Sequence, residues 1–303
     1  MSNYLTIDVG GTNIKYALMN DQIEVIEKGE VPTPRDSLES FQDAIASIYD
    51  KYSDRELHAV CMSAPGRIDS TTGFFYTSGA LGYVNGVNLP ESMKDRIPVP
   101  FVVENDAKAA ALAELWKGSM KGYDSGSVIT LGTGIGGSVI IGGKLIRGNT
   151  FAAGEFSGIS SDWANKYTRS NTWAGVASTN GLLEDYATLT GRKVSDINGR
   201  EFFELANAGD ADALAALEQF CDSVACGIMS LQLILDLQRY SIGGGISKQP
   251  ILLETINRKL DELFEENKGK TPASRPEVVA CEFGNDANMI GALYHYLYEL
   301  KGN

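Results

Sequence analysis

The stretch "LTIDVGGTNIKYAL", residues 5–18, decides the fold. An apolar run, Leu5–Val9, meets Gly10-Gly11-Thr12. A second run follows with period-two alternation at Ile14, Tyr16 and Leu18. This reads as strand, turn, strand. The same theme returns at residues 128–141, "VITLGTGIGGSVII". A local pattern that recurs at such a distance suggests two related halves facing each other.

Around these hairpins, strands alternate with helices. A third strand spans about 23–31 and ends at Pro32 and Pro34. Residues 37–52 have helical spacing at Leu38, Phe41, Ile45, Ile48 and Tyr49, with Ser37 placed to cap them. Residues 57–62 and 100–103 read as buried strands, and 106–117 as an alanine-rich helix stopped at Gly118. Beyond the second hairpin come long helical patterns at 173–190 and 211–237. A short strand at 240–242 runs into Gly243, Gly244 and Gly245. Helix 250–265, a strand near 278–280 and a closing helix at 286–299 complete the chain. The alternation implies the α/β class.

Composition excludes several functions. The chain has 303 residues, enough for two domains, and a formal net charge of −13. Such a surface repels phosphate backbones and anionic lipid, so neither nucleic acid nor membrane is expected as a partner. No basic start followed by an apolar run marks a signal peptide, and no stretch of 18 apolar residues occurs. The four cysteines (61, 221, 226 and 281) are scattered without a CxxC, and read as buried cytosolic thiols. The expected location is cytoplasmic. His58 and His295 are the only histidines, which argues against a His-centred triad or a His-rich metal site.

Four motifs carry chemistry. In "DVGGT", residues 8–12, the glycines let backbone approach a ligand and aim amides at phosphate oxygens. Asp8 at the strand's end suits Mg²⁺ held through water; a plain hairpin turn is the alternative. "LGTGIGG", residues 131–137, is a richer amide nest than a hairpin needs. In "VENDAKAAALAELW", residues 103–116, Asp106 sits at a strand-to-helix junction. There it is either a helix cap or a general base that accepts a hydroxyl proton during phosphoryl transfer. "SIGGGIS", residues 241–247, is a glycine-rich junction able to seat an adenosine or simply to turn. Neither a GxGxxG fingerprint nor a Walker A sequence is present.

Taken together and in this order, the motifs resemble the ROK family (repressors, open reading frames and sugar kinases) of the actin/hexokinase-like ATPase superfamily. The likeness covers nearly the whole chain and includes "IDVGGTNIKYALM", "SAPGRID", "VENDAKAAALAELWKG", "TLGTGIGGSVIIGGKLIRG", "AAGEF" and "IGGGIS". It implies two ribonuclease H-like α/β domains with an ATP and sugar cleft between them. These would be an N-terminal domain, 1–118, to which a closing helix, 286–303, returns, and a larger domain, 119–285. The resemblance places Asp8, Gly10, Gly11 and Thr12 on the phosphate and Mg²⁺ side, and Thr133, Gly134 and Gly136 in a second phosphate loop. Gly244 and Gly245 border adenosine. Asn105, Asp106 and Glu155 bind sugar hydroxyls with Asp106 as base, and Gly66 lines the sugar pocket. It also implies a homodimer.

The departures are informative. Many relatives continue Gly-Glu-x-Gly-His, whereas here the run is Gly154-Glu155-Phe156-Ser157-Gly158. Residues 159–180 hold neither cysteine nor histidine, so no zinc site is expected in the usual place. The position of the family's second sugar-binding glutamate falls near Ala174, where an acid is lacking. The family's β-glucoside kinases resemble this sequence in "AGEF" and in lacking the zinc loop. The family's repressors carry a helix-turn-helix ahead of the first glycine motif, and the few residues before Asp8 leave it no room. The expected function is therefore an ATP- and Mg²⁺-dependent kinase acting on the 6-hydroxyl of a hexose or β-glucoside. The alternatives are an N-acetylmannosamine kinase or a non-catalytic sugar sensor.

Overall fold

A computed structural model describes residues 2–300. The chain divides into two compact units, Met1–Lys121 with Arg147–Ala153 and Asn285–Asn303, and Gly122–Ile146 with Gly154–Gly284.

The first unit is built on strands β1 (Asn3–Val9), β2 (Asn13–Asn20), β3 (Val25–Pro32), β4 (Leu57–Ala64), the short hairpin β5 (Ile68–Asp69) and β6 (Phe74–Phe75), and β7 (Phe101–Asn105). Its main sheet has the order β3-β2-β1-β4-β7. The β1–β2–β3 meander is antiparallel, while β1, β4 and β7 run parallel. Central β1 and β4 are apolar on both faces, as strands covered on both sides must be. Edge strand β3 is instead charged and half-exposed, which discourages pairing with another chain. Helix α1 (Leu38–Asp50) is capped by Ser37, whose side chain accepts from Ser40 N, and buries Phe41, Ile45, Ala46, Ile48 and Tyr49 against the sheet. A short α2 (Leu89–Met93) precedes β7. Helix α3 (Asp106–Lys117) follows it directly. At Gly291 of α9 (Ala287–Tyr294), a Cβ would lie 1.6 Å from the Ala109 carbonyl oxygen of α3. Only glycine permits that approach, and it returns the chain's end to the first unit.

The second unit repeats the plan. Strands β8 (Ser125–Leu131), β9 (Ile135–Ile141), β10 (Lys144–Ile146), β11 (Arg239–Gly243) and β12 (Glu277–Ala280) take the order β10-β9-β8-β11-β12. An antiparallel meander is again followed by parallel strands. Helices α4 (Trp173–Ala177), α5 (Thr179–Thr190), α6 (Gly199–Asn207), α7 (Ala211–Leu235) and α8 (Pro250–Glu266) supply its core.

Three expectations need correction. The pattern at 173–190 forms two helices, because Ser178 is extended and its side chain caps α5 at Gly181 N. The segment Arg147–Ala153 groups with the first unit rather than the second, held there by Arg147 and by the Phe151 carbonyl as described below. Of the cysteines, Cys226 is exposed on α7 and Cys281 is intermediate; only Cys61 and Cys221 are buried. Helix α7 alone among the described residues has the length and mean apolarity of a membrane span, and half of that window is buried inside the protein, as in a core helix.

Candidate active site

In the first unit, the parallel strands end level with one another. Asp8 of β1 pairs with Ser63 of β4, Ser63 with Glu104 of β7, and Ala64 with Asn105. The carboxyl edge of a parallel sheet is where ligands of α/β proteins bind. Asp8 Oδ1 accepts from Ser63 Oγ at 2.7 Å and from Asn288 Nδ2 at 3.0 Å. These bonds fix the carboxylate and leave Oδ2 without a hydrogen bond among the described residues.

Asn105 is the organising residue of this edge. Its Oδ1 accepts from Lys108 N at 3.0 Å, so Asn105, not Asp106, caps α3. Its Nδ2 donates to the Gly66 carbonyl at 2.9 Å and to Asp106 Oδ1 at 3.0 Å. Asp106 is the first residue of the helix and also accepts from Ala107 N at 2.8 Å. The helix-cap reading of Asp106 is thus displaced by its neighbour. Gly66 turns with φ +112°, and a Cβ there would lie 2.0 Å from the Thr77 carbonyl oxygen. The first glycine turn is braced on one side, where Thr33 Oγ1 donates to Gly10 O and Arg35 Nη2 to Gly11 O. Gly11 and Thr12 are exposed, and a Cβ on Gly11 would meet nothing within 4 Å.

Behind this edge lies a buried ion network. Arg147 Nη2 reaches Glu104 Oε2 and Glu299 Oε2, each at 2.6 Å. His295 bonds Glu299 through Nδ1 at 2.7 Å and the Ser70 carbonyl through Nε2 at 2.9 Å. Glu104, His295 and Glu299 bring three potential metal-ligand atoms within 4.8 Å of one another. The guanidinium already pairs with both carboxylates, so it fills the role a metal cation would play there. Glu104 Oε1 also accepts from Asn105 N at 2.7 Å, joining the network to the edge residues. Lys108 is buried and donates from Nζ to the Phe151 carbonyl at 3.2 Å.

In the second unit, the glycine loop between β8 and β9 exposes Thr133 and Gly134, while Gly136 pairs with Thr130 inside the ladder. Ser157 Oγ clamps the loop, donating to Ile135 O at 2.6 Å and accepting from Ile135 N. Phe156 fills the notch at Gly137, where a Cβ would fall 2.0 Å from its ring. Its other neighbour is Trp173, 5.8 Å between centroids. Gly154, with φ +85°, would bring a Cβ to 2.6 Å from the Gly137 carbonyl oxygen. Glu155, exposed, is therefore carried on a backbone anchored on both sides. Burying Phe156 contributes about 1.5–3 kcal/mol, a hydrophobic anchor in a loop without cysteine or histidine. Farther along, residues 156–172 are held by their own polar bonds, among them Tyr167 Oη to Gly158 O and Thr168 N to Asn171 Oδ1.

The β11 end meets the same loop. Gly244 has φ +95°, and a Cβ there would lie 2.2 Å from the Leu131 carbonyl oxygen at the base of the β8–β9 loop. Gly245 is exposed with nothing within 4 Å of a Cβ. The structure thus gathers Asp8, Gly10, Gly11, Thr12, Gly66, Asn105 and Asp106 within the first unit. Thr133, Gly134, Gly136, Glu155, Gly244 and Gly245 belong to the second. Sequence reasoning missed Ser63, Asn288, Lys108, Arg147 and Ser157. Ser63, Lys108 and Arg147 lie inside stretches that carried the resemblance, "SAPGRID", "VENDAKAAALAELWKG" and "KLIRG", but none of these residue types announces its partner.

The ROK family profile matches residues 4–298. A β-glucoside kinase of Listeria monocytogenes is 29% identical over 302 residues, covering 96% of each chain. Among solved structures, a ROK family protein from Streptococcus pneumoniae in complex with sucrose matches with a TM-score of 0.88 at 29% identity. It covers 99% of this chain and 100% of the other. A ROK family glucokinase from Streptomyces griseus in complex with glucose and AMPPNP matches with a TM-score of 0.79 at 27% identity, covering 96% and 98%.

Proposed function

The chain belongs to the ROK family, and on that premise we propose that it is an ATP-dependent sugar kinase acting on the 6-hydroxyl of a hexose or β-glucoside. The observation that carries this reading is the Asn105 amide, which ties the Gly66 turn, the start of α3 and the Asp106 carboxylate into one unit. A carboxylate so fixed is placed to take the proton from an acceptor hydroxyl. Gly66 and Asn105 offer backbone and amide groups to the sugar, and Glu155 accepts from its hydroxyls. Preset side chains of this kind reduce the ordering required when the acceptor binds.

The residues present suit a nucleotide. Gly244 lets the backbone close on the Leu131 carbonyl at the base of the β8–β9 loop, and Gly11, Gly134 and Gly245 leave room beside exposed backbone. When bound, ATP supplies the transferable phosphoryl group and Mg²⁺ neutralises its charge. Gly10, Gly11, Thr12, Thr133, Gly134 and Gly136 would hold phosphates, Gly244 and Gly245 would border adenosine, and Asp8 would hold Mg²⁺ through water. The same reading includes no zinc. It also includes a homodimer, supported by Leu233 and Ile234, which are 49% and 76% exposed near the end of α7.

An ADP-release assay over glucose, cellobiose, gentiobiose and N-acetylmannosamine tests the proposal. ADP formed fastest with glucose or a β-glucoside is the expected result. Sugar binding by calorimetry without ADP from any sugar would instead make the protein a sensor.

Two glycine variants separate folding from nucleotide binding. Gly244→Ala is expected to destabilise the protein by roughly 1–3 kcal/mol, since it forces a side chain into a positive-φ site against a carbonyl. Gly245→Ala should change stability by less than about 0.5 kcal/mol yet raise KM for ATP. Denaturant unfolding and ATP titration measure both; an unaltered KM in Gly245→Ala removes that residue from the adenosine side.

A further inference from the structure

Beside the Gly66 turn lies a cationic and aromatic cluster that the kinase reading does not use. Arg67 has no ion pair among the described residues, and its Nε is buried without a hydrogen-bond partner. Arginine left in this state is unusual, because a buried donor lacking an acceptor costs free energy. The guanidinium lies over the Tyr76 ring, 4.6 Å from its centroid. Tyr76 in turn stacks with Phe151 at 6.3 Å and 24°, and meets Phe74 edge-on at 5.1 Å. Tyr76 remains 41% exposed.

The cluster is held rigidly. The Arg67 carbonyl accepts from Tyr76 N at 2.9 Å and from Thr77 N at 3.3 Å, and Arg67 N donates to Thr77 Oγ1. Phe151 sits at φ +61°, a conformation a bulky residue rarely adopts. Its carbonyl is fixed by buried Lys108, two residues beyond Asp106. Strain held by a buried lysine, at a partly exposed aromatic ring, points to a binding role.

We propose that Arg67, Tyr76 and Phe151 form a subsite for the second ring of a glycoside acceptor, adjoining the Gly66–Asn105–Asp106 group. The chemistry fits a neutral pyranoside. Aromatic rings stack on the C–H faces of a sugar, and a guanidinium held over an aromatic ring can donate to the sugar's hydroxyls in a planar fork. Arg67 is bonded directly to Gly66, whose carbonyl Asn105 holds, so this donor adjoins the group assigned to the phosphorylated sugar. The inference rests on the sugar-kinase reading and deepens it, naming β-linked disaccharides and aryl β-glucosides as the favoured class.

The test compares kcat/KM for cellobiose, gentiobiose and phenyl β-glucoside with that for glucose in the wild type, Arg67→Ala, Arg67→Lys and Tyr76→Ala. Loss of charge-assisted hydrogen bonds predicts that Arg67→Ala lowers the glycoside-to-glucose ratio by about 10- to 100-fold. Arg67→Lys keeps the charge but loses the flat fork, and should lower the ratio by a smaller factor. A ratio that stays constant in all three variants would falsify the subsite, and equal losses for glucose and glycosides would assign the cluster a structural role instead. Calorimetry of cellobiose separates the two readings. If the wild type forms no ADP from any sugar, the kinase reading fails. The subsite then stands if cellobiose binds and Arg67→Ala weakens it tenfold or more, and falls if cellobiose does not bind.

Discussion

Asp106→Asn is expected to lower kcat by about 10²–10⁴, with sugar binding largely kept. Two of the side chain's hydrogen bonds tolerate this substitution. Asp106 Oδ1 accepts from Ala107 N and from Asn105 Nδ2. An asparagine keeps a carbonyl oxygen for those two donors and replaces the other oxygen with a group that cannot take up a proton. The Gly66 turn and the cap of α3 depend on Asn105, so the variant leaves them in place. Steady-state kinetics gives the loss in kcat, and calorimetry with the sugar gives the Kd. A kcat equal to that of the wild type removes Asp106 from the role of base. Equal weakening of kcat and sugar affinity would make it a binding group.

The hairpins were legible because their signals are local. Period-two alternation and clustered glycines lie within fourteen residues of one another, and the repeat at 128–141 carries through to the same strand order in both sheets. The roles at 105 and 106 were harder to read. Both residue types cap helices well, and only the backbone shows that Asn105 takes the cap and leaves Asp106 on the first turn. Helices α4 and α5 read as one because their apolar spacing continues across Ser178, while the extended backbone of that serine breaks them. The ion network behind the edge had no sequence signal at all. Glu104, Arg147, His295 and Glu299 are scattered along the chain, and each alone looks like an ordinary surface charge. Only the return of 147–153 and of the closing helix to the first unit brings them together.

That network carries the second large effect. Arg147→Met is expected to destabilise the protein by roughly 3–5 kcal/mol, because it leaves the buried Glu104 and the part-buried Glu299 without their counter-charge. The Glu104 side chain is 1% exposed and that of Glu299 23%, so water cannot replace the guanidinium fully. Removing the arginine also frees the segment leading from Arg147 to Phe151, so the variant should lose activity in step with its stability. Denaturant unfolding with an unchanged slope and a lower midpoint is the expected signature; a loss under 1 kcal/mol would sink the claim. The same network makes stability depend on pH. Burial raises the Glu299 pKa, but hydrogen bonds from His295 and Arg147, with the charge of Arg147, outweigh it and hold the carboxyl below its ordinary range. A carboxyl depressed on folding stabilises fully above its unfolded pKa of about 4.3. That contribution is lost as pH falls from the unfolded value through the lower, folded one, because in that window the unfolded chain binds the proton more readily than the folded chain. Glu299→Gln should therefore cost stability at neutral pH and flatten the acid limb of the stability profile. If the wild type and Glu299→Gln lose stability in parallel below pH 4, other carboxylates govern the acid transition.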